Sequence, residues 1–195
     1  MNVMLAKKYD NAQRIKISEV FVEGFYQWLK FFSKDKAKLA HAFEHMFNLS
    51  VFYVAVIDDE VAGIAACADE SSSSIRLEKA ESKKHLGLIK GSIAFRILKR
   101  ELEDKQYPFT IEKGMGMIEF VATSAKHRGK GVATAILNNI FDYTAYSVFA
   151  LEVADTNENA VRLYEKLGFA EFMRVKHKHS KQSGINHLVY MKYFK

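Results

Sequence analysis

Residues 117–137, MIEFVATSAKHRGKGVATAIL, restrict the fold of this chain more than any other stretch. They open with an apolar, β-branched run over 118–123, interrupted by Glu119. A polar loop follows, holding Arg128-Gly129-Lys130-Gly131, and then an amphipathic run with apolar residues at Val132, Ala133, Ile136, Leu137 and Ile140. The pattern reads as strand, glycine loop, helix. Two glycines let the backbone turn tightly and carry bare N–H groups close to a ligand. The helix that starts there adds unpaired donors and the positive end of its dipole, which favour a phosphate or pyrophosphate. Arg128 and Lys130 add positive charge. The stretch is an anion cradle.

The flanking segments set a mixed α/β class. Residues 3–5 read as a short first strand. From Ile17, the apolar positions Val20, Phe21, Gly24, Trp28, Phe31 and Phe32 have helical spacing. A second helix begins near Lys36, with Ser33 or Asp35 as cap and Leu39, Ala40, Phe43, Met46 and Phe47 inward. The aromatics Phe25, Tyr26, Trp28, Phe31 and Phe32 are expected in the core rather than lining a pocket. Residues 51–57 and 61–68 form a hairpin around Asp58-Asp59-Glu60. The run 69–74, DESSSS, is a loop and a candidate lid. A helical insertion follows at about 74–106, with Leu86, Ile89, Ile93, Ile97 and Leu102 as its stripe. Gly87 and Gly91 there suit close helix packing, and Lys84, Lys90 and Arg96 argue against a membrane span. Pro108 closes the insertion, and Gly114 and Gly116 turn into the cradle strand. The cradle helix is expected to reach Tyr146. A strand at 148–153, a helix at 158–167 capped by Asp155-Thr156-Asn157 and ended by Gly168, and strands at 169–176 and 188–194 complete the chain.

The expected organisation is a single domain over 1–195, with a mixed sheet and helices on its faces. Lys plus Arg exceed Asp plus Glu, giving a formal net charge of +6, which suits an anionic cofactor or a solvated basic surface. Cys67 is the sole cysteine, so an internal disulfide is excluded. With neither a secretory signal nor an apolar run of about 18 residues, a cytoplasmic setting is expected.

Three phosphate-binding patterns compete for the cradle. A Walker loop needs Gly-Lys-Ser/Thr, but Gly131 follows Lys130. A dinucleotide fingerprint is imitated by Gly129, Gly131 and the strand-end Glu152, yet Thr134 stands at the third glycine and 123–128 separates strand from loop. The third pattern fits. Arg128-x-x-Gly131-x-Ala133 resembles the Q/R-x-x-G-x-G/A signature of the GNAT superfamily of N-acetyltransferases. Residues 157–169, NENAVRLYEKLGF, look like the family's second block, N-x-x-A-x-x-L-Y-E-K-x-G-F. Both blocks occur in the family's order and separation, although Ala125 replaces its usual proline and the insertion lies outside its common core.

The resemblance implies a central mixed, mostly antiparallel sheet with helices on both faces, and acetyl-CoA as cosubstrate without a metal. Backbone N–H groups of Arg128, Gly129, Lys130, Gly131, Val132, Ala133 and Thr134 would hold the pyrophosphate. The splayed strand end, Val121, Ala122 and Thr123, would pair with the pantetheine arm like an added strand, and Asn157, Asn159 and Ala160 would lie beside it. The reaction implied is direct acetyl transfer to a primary amine through a tetrahedral intermediate, with the N–H after Val121 polarising the thioester carbonyl. Tyr164 matches the family's general acid for the departing thiolate. Deprotonating an amine of pKa about 10.4 near neutrality costs about 4 kcal/mol, so a base helps, and Glu119 is the candidate.

Other readings compete residue by residue. Tyr164 could be a core tyrosine, and Glu119 a carboxylate facing solvent. His177 and His179, among Lys176, Lys178 and Lys181, read as a basic edge strand rather than a metal site. Cys67 reads as a buried small side chain. The expected partner is a small-molecule amine, with polyamine, aminoglycoside, amino-acid and peptide acceptors all open. A homodimer through the final strands is plausible on this reading, and neither membrane nor nucleic acid is favoured. A non-catalytic acetyl-CoA-binding module, or acetylation of a protein N-terminus or aminoacyl-tRNA, are the competing functions.

Overall fold

A computed structural model describes residues 1–9, 14–178 and 180–195. Its organising element is one seven-stranded sheet of β1 (Asn2–Leu5), β2 (Phe52–Ile57), β3 (Glu60–Ala68), β4 (Met115–Thr123), β5 (Val148–Ala154), β6 (Ala170–Lys176) and β7 (His187–Phe194). The spatial order is β1-β2-β3-β4-β5-β7-β6, and every neighbouring pair is antiparallel except β4 with β5. β2 and β3 are joined through Asp58 and Asp59, both in the left-handed region (φ 49° and 60°) that short acidic side chains tolerate and tight hairpins require.

Helices α1 (Arg14–Leu29), α2 (Lys36–Phe43), α3 (Lys79–Leu86) and α4 (Leu88–Leu98) cover one face. The carboxylate of Asp35 caps α2 by accepting from Lys38 N–H at 3.0 Å. Helices α5 (Val132–Tyr143) and α6 (Glu158–Lys166) cover the other, with Phe141, Phe149, Phe169 and Tyr193 packed ring against ring. A short α7 (Ser180–Ser183) precedes β7.

Small residues explain how both faces approach β3, whose sequence EVAGIAACA is buried beyond its first residue. A Cβ at Gly63 would stand 2.5 Å from Val132 Cγ1 and 3.0 Å from the Ala122 carbonyl oxygen. The start of α5, which carries the glycine loop, therefore seats on β3 only because that position has no side chain.

The structure corrects several expectations. The DESSSS loop is tied down rather than built as a lid. Asp69 accepts from Ser71, Ser72 and the Tyr146 hydroxyl, Asn48 holds the Ser73 and Ser74 carbonyls, and Ser74 is buried. The insertion is two helices. Gly87, at φ 86°, breaks them, while Gly91 packs on the Ser82–Lys83 backbone as expected of a close helix contact. The buried side of α4 is Gly91, Ala94 and Leu98; Ile89 (77% exposed) and Ile93 (48%) face outward. Restarting at Gly87 rotates the stripe away from the reading of one continuous helix. α1 stops at Leu29; Trp28 in its last turn and Phe31 beyond its end are exposed, against the core placement expected of them, while Phe32 is buried. α5 ends at Tyr143 rather than Tyr146, and Gly116 is already inside β4. His177 follows the outermost strand β6, as a basic edge requires, while His179 lies outside the described residues.

Replacing Gly63 with valine forces Cβ into Val132 and the Ala122 carbonyl. Overpacking of this kind costs about 1–3 kcal/mol. Thermal unfolding of Gly63→Val should show that loss, and an unchanged midpoint would contradict the close seating of α5 on β3.

Candidate active site

The cradle is built from backbone. Gly129 and Gly131 both lie in the left-handed region, φ 75° and 73°, and Gly131 caps α5 without any side-chain cap bond. The first helical bond runs from Ala135 N–H to the Gly131 carbonyl. The N–H groups of Val132, Ala133 and Thr134 are therefore free of intrahelical partners and sit at the positive end of α5. A Cβ at Gly131 would meet no protein atom within 4 Å. Arg128, Gly129 and Lys130 are exposed around this opening, with the Lys130 ammonium 3.4 Å from His127 Nδ1. Bare donors, a helix dipole and two cations fit a pyrophosphate.

Beside the cradle the sheet comes apart. β4 and β5 pair in parallel from Met115–Val148 to Ile118–Leu151 and then separate. On its other side β4 stays on β3, with an extra residue. Ala66 faces Glu119 and Ile64 faces Ala122, so Phe120 and Val121 oppose Ala65 alone. Phe120 takes φ 53° at this bulge. Its ring is held by Phe21, Phe25 and Phe52 at centroid distances of 5.8, 6.0 and 6.1 Å. Val121, Ala122 and Thr123 thus lie along the edge of β4 that β5 no longer covers, the geometry needed for an extended ligand to add as a strand.

Glu119 is half-buried at the fork rather than turned to solvent. Its carboxylate accepts from Ser74 Oγ and from the Tyr107 hydroxyl, each at 2.5 Å. Burial first, and the neighbouring Glu119 second, push the Tyr107 phenol far above its ordinary value, so Tyr107 is a fixed donor. On the opposite face of the sheet Tyr164 is 7% exposed and packs edge-on against Phe169 at 5.9 Å. Burial pushes its phenol up as well. It keeps its proton throughout the neutral range and can offer it as a hydrogen bond.

The second block forms the α6 entry. Asn157 caps the helix, its carboxamide oxygen accepting from Ala160 N–H at 3.3 Å, and Asn159 accepts from Arg162 at 2.8 Å. Gly168 ends it at φ 92°. Cys67 is buried, its thiol pushed up to about 12 chiefly by burial, which removes it as a nucleophile. Among the described residues no group of three or more His, Cys, Asp or Glu is arranged to hold a metal, and no helix is long and apolar enough to cross a membrane. An open concavity between Asp155, Arg162, Arg174 and Met191 shares no residue with the cradle or with Glu119.

Sequence reading brought the cradle, Glu119 and Tyr164 forward. It missed Phe120, Ser74 and Tyr107. Nothing local marks a left-handed phenylalanine, and Tyr107 meets Glu119 only through the exit of the insertion. The neighbouring Pro108 was the available signal that the chain turns there.

A family model described as the acetyltransferase (GNAT) family matches residues 22–169. The fold is similar to an N-acetyltransferase from Staphylococcus aureus Mu50 (TM-score 0.60, 18% identity, covering 99% of this chain and 100% of that one). It is also similar to PH1933 from Pyrococcus horikoshii OT3 (TM-score 0.60, 20% identity, 100% and 98%). The ribosomal-protein-S18-alanine N-acetyltransferase from Escherichia coli matches with TM-score 0.57, 12% identity, 99% of this chain and 92% of that one. At these identities the likeness shows the fold. No curated protein matches the chain.

Tyr53, Tyr107, Tyr146, Tyr164 and Tyr190 are all raised, burial being the largest cause for each. Their contribution to stability is complete below the unfolded value of about 10 and is lost as pH rises through the folded values. The melting temperature should hold near pH 9 and fall above about 10, and the share of tyrosinate absorbance owed to these five of the nine tyrosines should appear only with unfolding. Ionisation of these tyrosines near pH 10 in a protein that stays folded would contradict their burial.

Proposed function

This chain belongs to the acetyltransferase (GNAT) family, and from that premise we propose that it moves the acetyl group of acetyl-CoA directly to a primary amine. The observation that carries the proposal is the fork. A strand edge left unpaired beyond Ile118–Leu151 runs from Glu119 to Thr123, and the loop that follows it leads to the cradle at Gly131. Pyrophosphate would rest on the N–H groups of Gly129, Gly131, Val132, Ala133 and Thr134, with Arg128 and Lys130 countering its charge through their side chains, since their own N–H groups already donate to the Ala125 and His127 carbonyls. The pantetheine amides would pair with Val121, Ala122 and Thr123, beside Asn157, Asn159 and Ala160. The thioester would then sit in the fork, with its carbonyl toward the N–H that follows Val121.

Glu119, oriented by Ser74 and Tyr107, takes the proton from the incoming amine. The amine nitrogen forms the new C–N bond and the C–S bond breaks with its electron pair on sulfur. Tyr164 hydrogen-bonds the departing thiolate from the other face. A raised phenol is a weaker acid than a thiol near 8.5, so its contribution is stabilisation of the sulfur charge as much as proton delivery. The apolar rings of Phe25, Trp28 and Phe120 stand on the acceptor side, with Phe25 6.0 Å from each of the others.

Acetyl-CoA turnover, followed by free-thiol release over a panel of polyamine, aminoglycoside, amino-acid and peptide acceptors, tests the proposal. The peptide arm includes one with a free N-terminal alanine. Turnover with one class establishes the activity. Tight CoA binding without turnover would favour a binding module instead, and no CoA binding would sink the cradle assignment. Gly131→Val should weaken acetyl-CoA binding by about tenfold or more, since valine both strains φ 73° and places methyl groups at the anion. Tyr164→Phe and Glu119→Gln should each lower kcat by about a hundredfold or more, with CoA affinity nearly intact. Wild-type kcat in either variant removes the role assigned to that residue.

A further inference from the structure

The buried side of α4 is Gly91, Ala94 and Leu98, so its outward side carries Leu88, Ile89 and Ile93, which are 76%, 77% and 48% exposed. Single exposed aliphatics are ordinary on a protein surface, but three within one short stretch form a patch. The patch stands at a corner. α3 ends at Leu86 and α4 starts at Leu88, the turn between them being Gly87 alone at φ 86°. A Cβ at Gly87 would meet nothing within 4 Å, so the corner projects clear of the body. Behind it α4 is braced on the Ser82–Lys83 backbone through Gly91, and α3 on α2 through the stacked rings of His41 and His85, 6.1 Å apart.

Cations surround the patch. From Lys79 to Leu98 the sole acid is Glu81, which pairs with Lys84 at 3.1 Å. Lys79, Lys83, Lys90 and Arg96 make no ion pair among the described residues, whereas Lys99 and Arg100 further on are neutralised by Glu103, Asp104 and Glu101. Lys83 and Lys90 lie on either side of the corner in the chain, and Arg96 continues the outward stripe one turn past Ile93. A convex aliphatic tip within a positive rim complements a surface that is anionic outside and apolar beneath.

We propose that the α3–α4 corner docks the protein on an anionic lipid bilayer, lying on the membrane rather than crossing it. Leu88, Ile89 and Ile93 enter below the headgroups, while Lys83, Lys90 and Arg96 meet the lipid phosphates. Other anionic partners fit less well. RNA is gripped by aromatic stacking and base-edge hydrogen bonds, and this tip offers only aliphatic carbon. An acidic helix needs a groove, and the corner is convex. A second copy would bring the same cations against themselves.

Sedimentation of the full chain with vesicles tests this. The protein should bind vesicles of equal parts phosphatidylcholine and phosphatidylglycerol at least about tenfold more tightly than phosphatidylcholine alone. Lys83→Gln with Lys90→Gln should weaken that binding by about thirtyfold, since each cation near the surface contributes about a factor of five. Ile89→Ser with Ile93→Ser should weaken it at least about tenfold. Both pairs are on the outside, so the melting temperature and acetyl-CoA affinity should stay near wild type. Ile89→Cys carrying an NBD label should shift its emission to the blue on these vesicles, while the native Cys67, being buried, stays unlabelled. Equal binding by the serine variant, or NBD emission that keeps its value in water, overturns the inference. So does failure to bind the anionic vesicles, and retention on polyglutamate or polyuridylate would then give the patch to a protein or RNA partner. The contact uses no residue of the proposed reaction, so loss of either one leaves the other standing.

Discussion

Everything at the candidate site depends on two neighbouring parallel strands that stop pairing. A parallel ladder left to itself continues, because each unpaired N–H and C=O costs free energy when water is excluded. β4 departs from β5 after Ile118 because an extra residue is forced into it against β3. The bulge puts Phe120 in the left-handed region, a strain of order 1–3 kcal/mol for a non-glycine residue. The ring contacts of Phe120 with Phe21, Phe25 and Phe52 offset that cost. The aromatics of α1 and β2 are thus more than core filling. They hold a strained backbone open beside the anion cradle.

How much of this could be read in advance follows from the range of the interactions. The cradle was legible because its causes are local: two glycines at positive φ, a helix starting at once, and a strand ending just before. The same holds for Asn157 as the α6 cap and Gly168 at its end. The bulge was not legible, since Phe120 is unusual only in φ and its reason lies in rings from 21, 25 and 52. Glu119 could be nominated but not its partners, because Ser74 and Tyr107 arrive from either end of the insertion. Glu152 was visible as a strand-end acid, and only the parallel register sets it beside Glu119. The stripe of α4 was misread for the converse reason: Gly87 restarts the helix, and a phase carried across a break has no meaning.

β3 shows how composition serves this geometry. A strand buried on both faces is usually filled with large β-branched residues. Here Ala62, Gly63, Ala65, Ala66 and Ala68 keep it thin. Thinness lets α5 descend until Val132 reaches β3, which fixes the height of the α5 N–H groups relative to the open edge of β4. A bulkier β3 would lift the cradle away from the fork, and an extended ligand anchored at one would miss the other.

The sheet also separates the two polar chemistries. Glu119, with Ser74 and Tyr107, lies on the face of α1 and the insertion, whereas Tyr164 sits in the opposite core with Phe169. In the proposed reaction, a continuous sheet would isolate the proton acceptor on one side from the proton donor on the other. At the fork the barrier is missing, so one extended molecule lying in the gap can face both. That arrangement lets the two groups keep different environments: a half-buried carboxylate held by two hydroxyl donors, and a phenol that burial keeps protonated. Placed side by side they would hydrogen-bond to each other. Set on opposite faces, each is left free for the role the proposed reaction gives it.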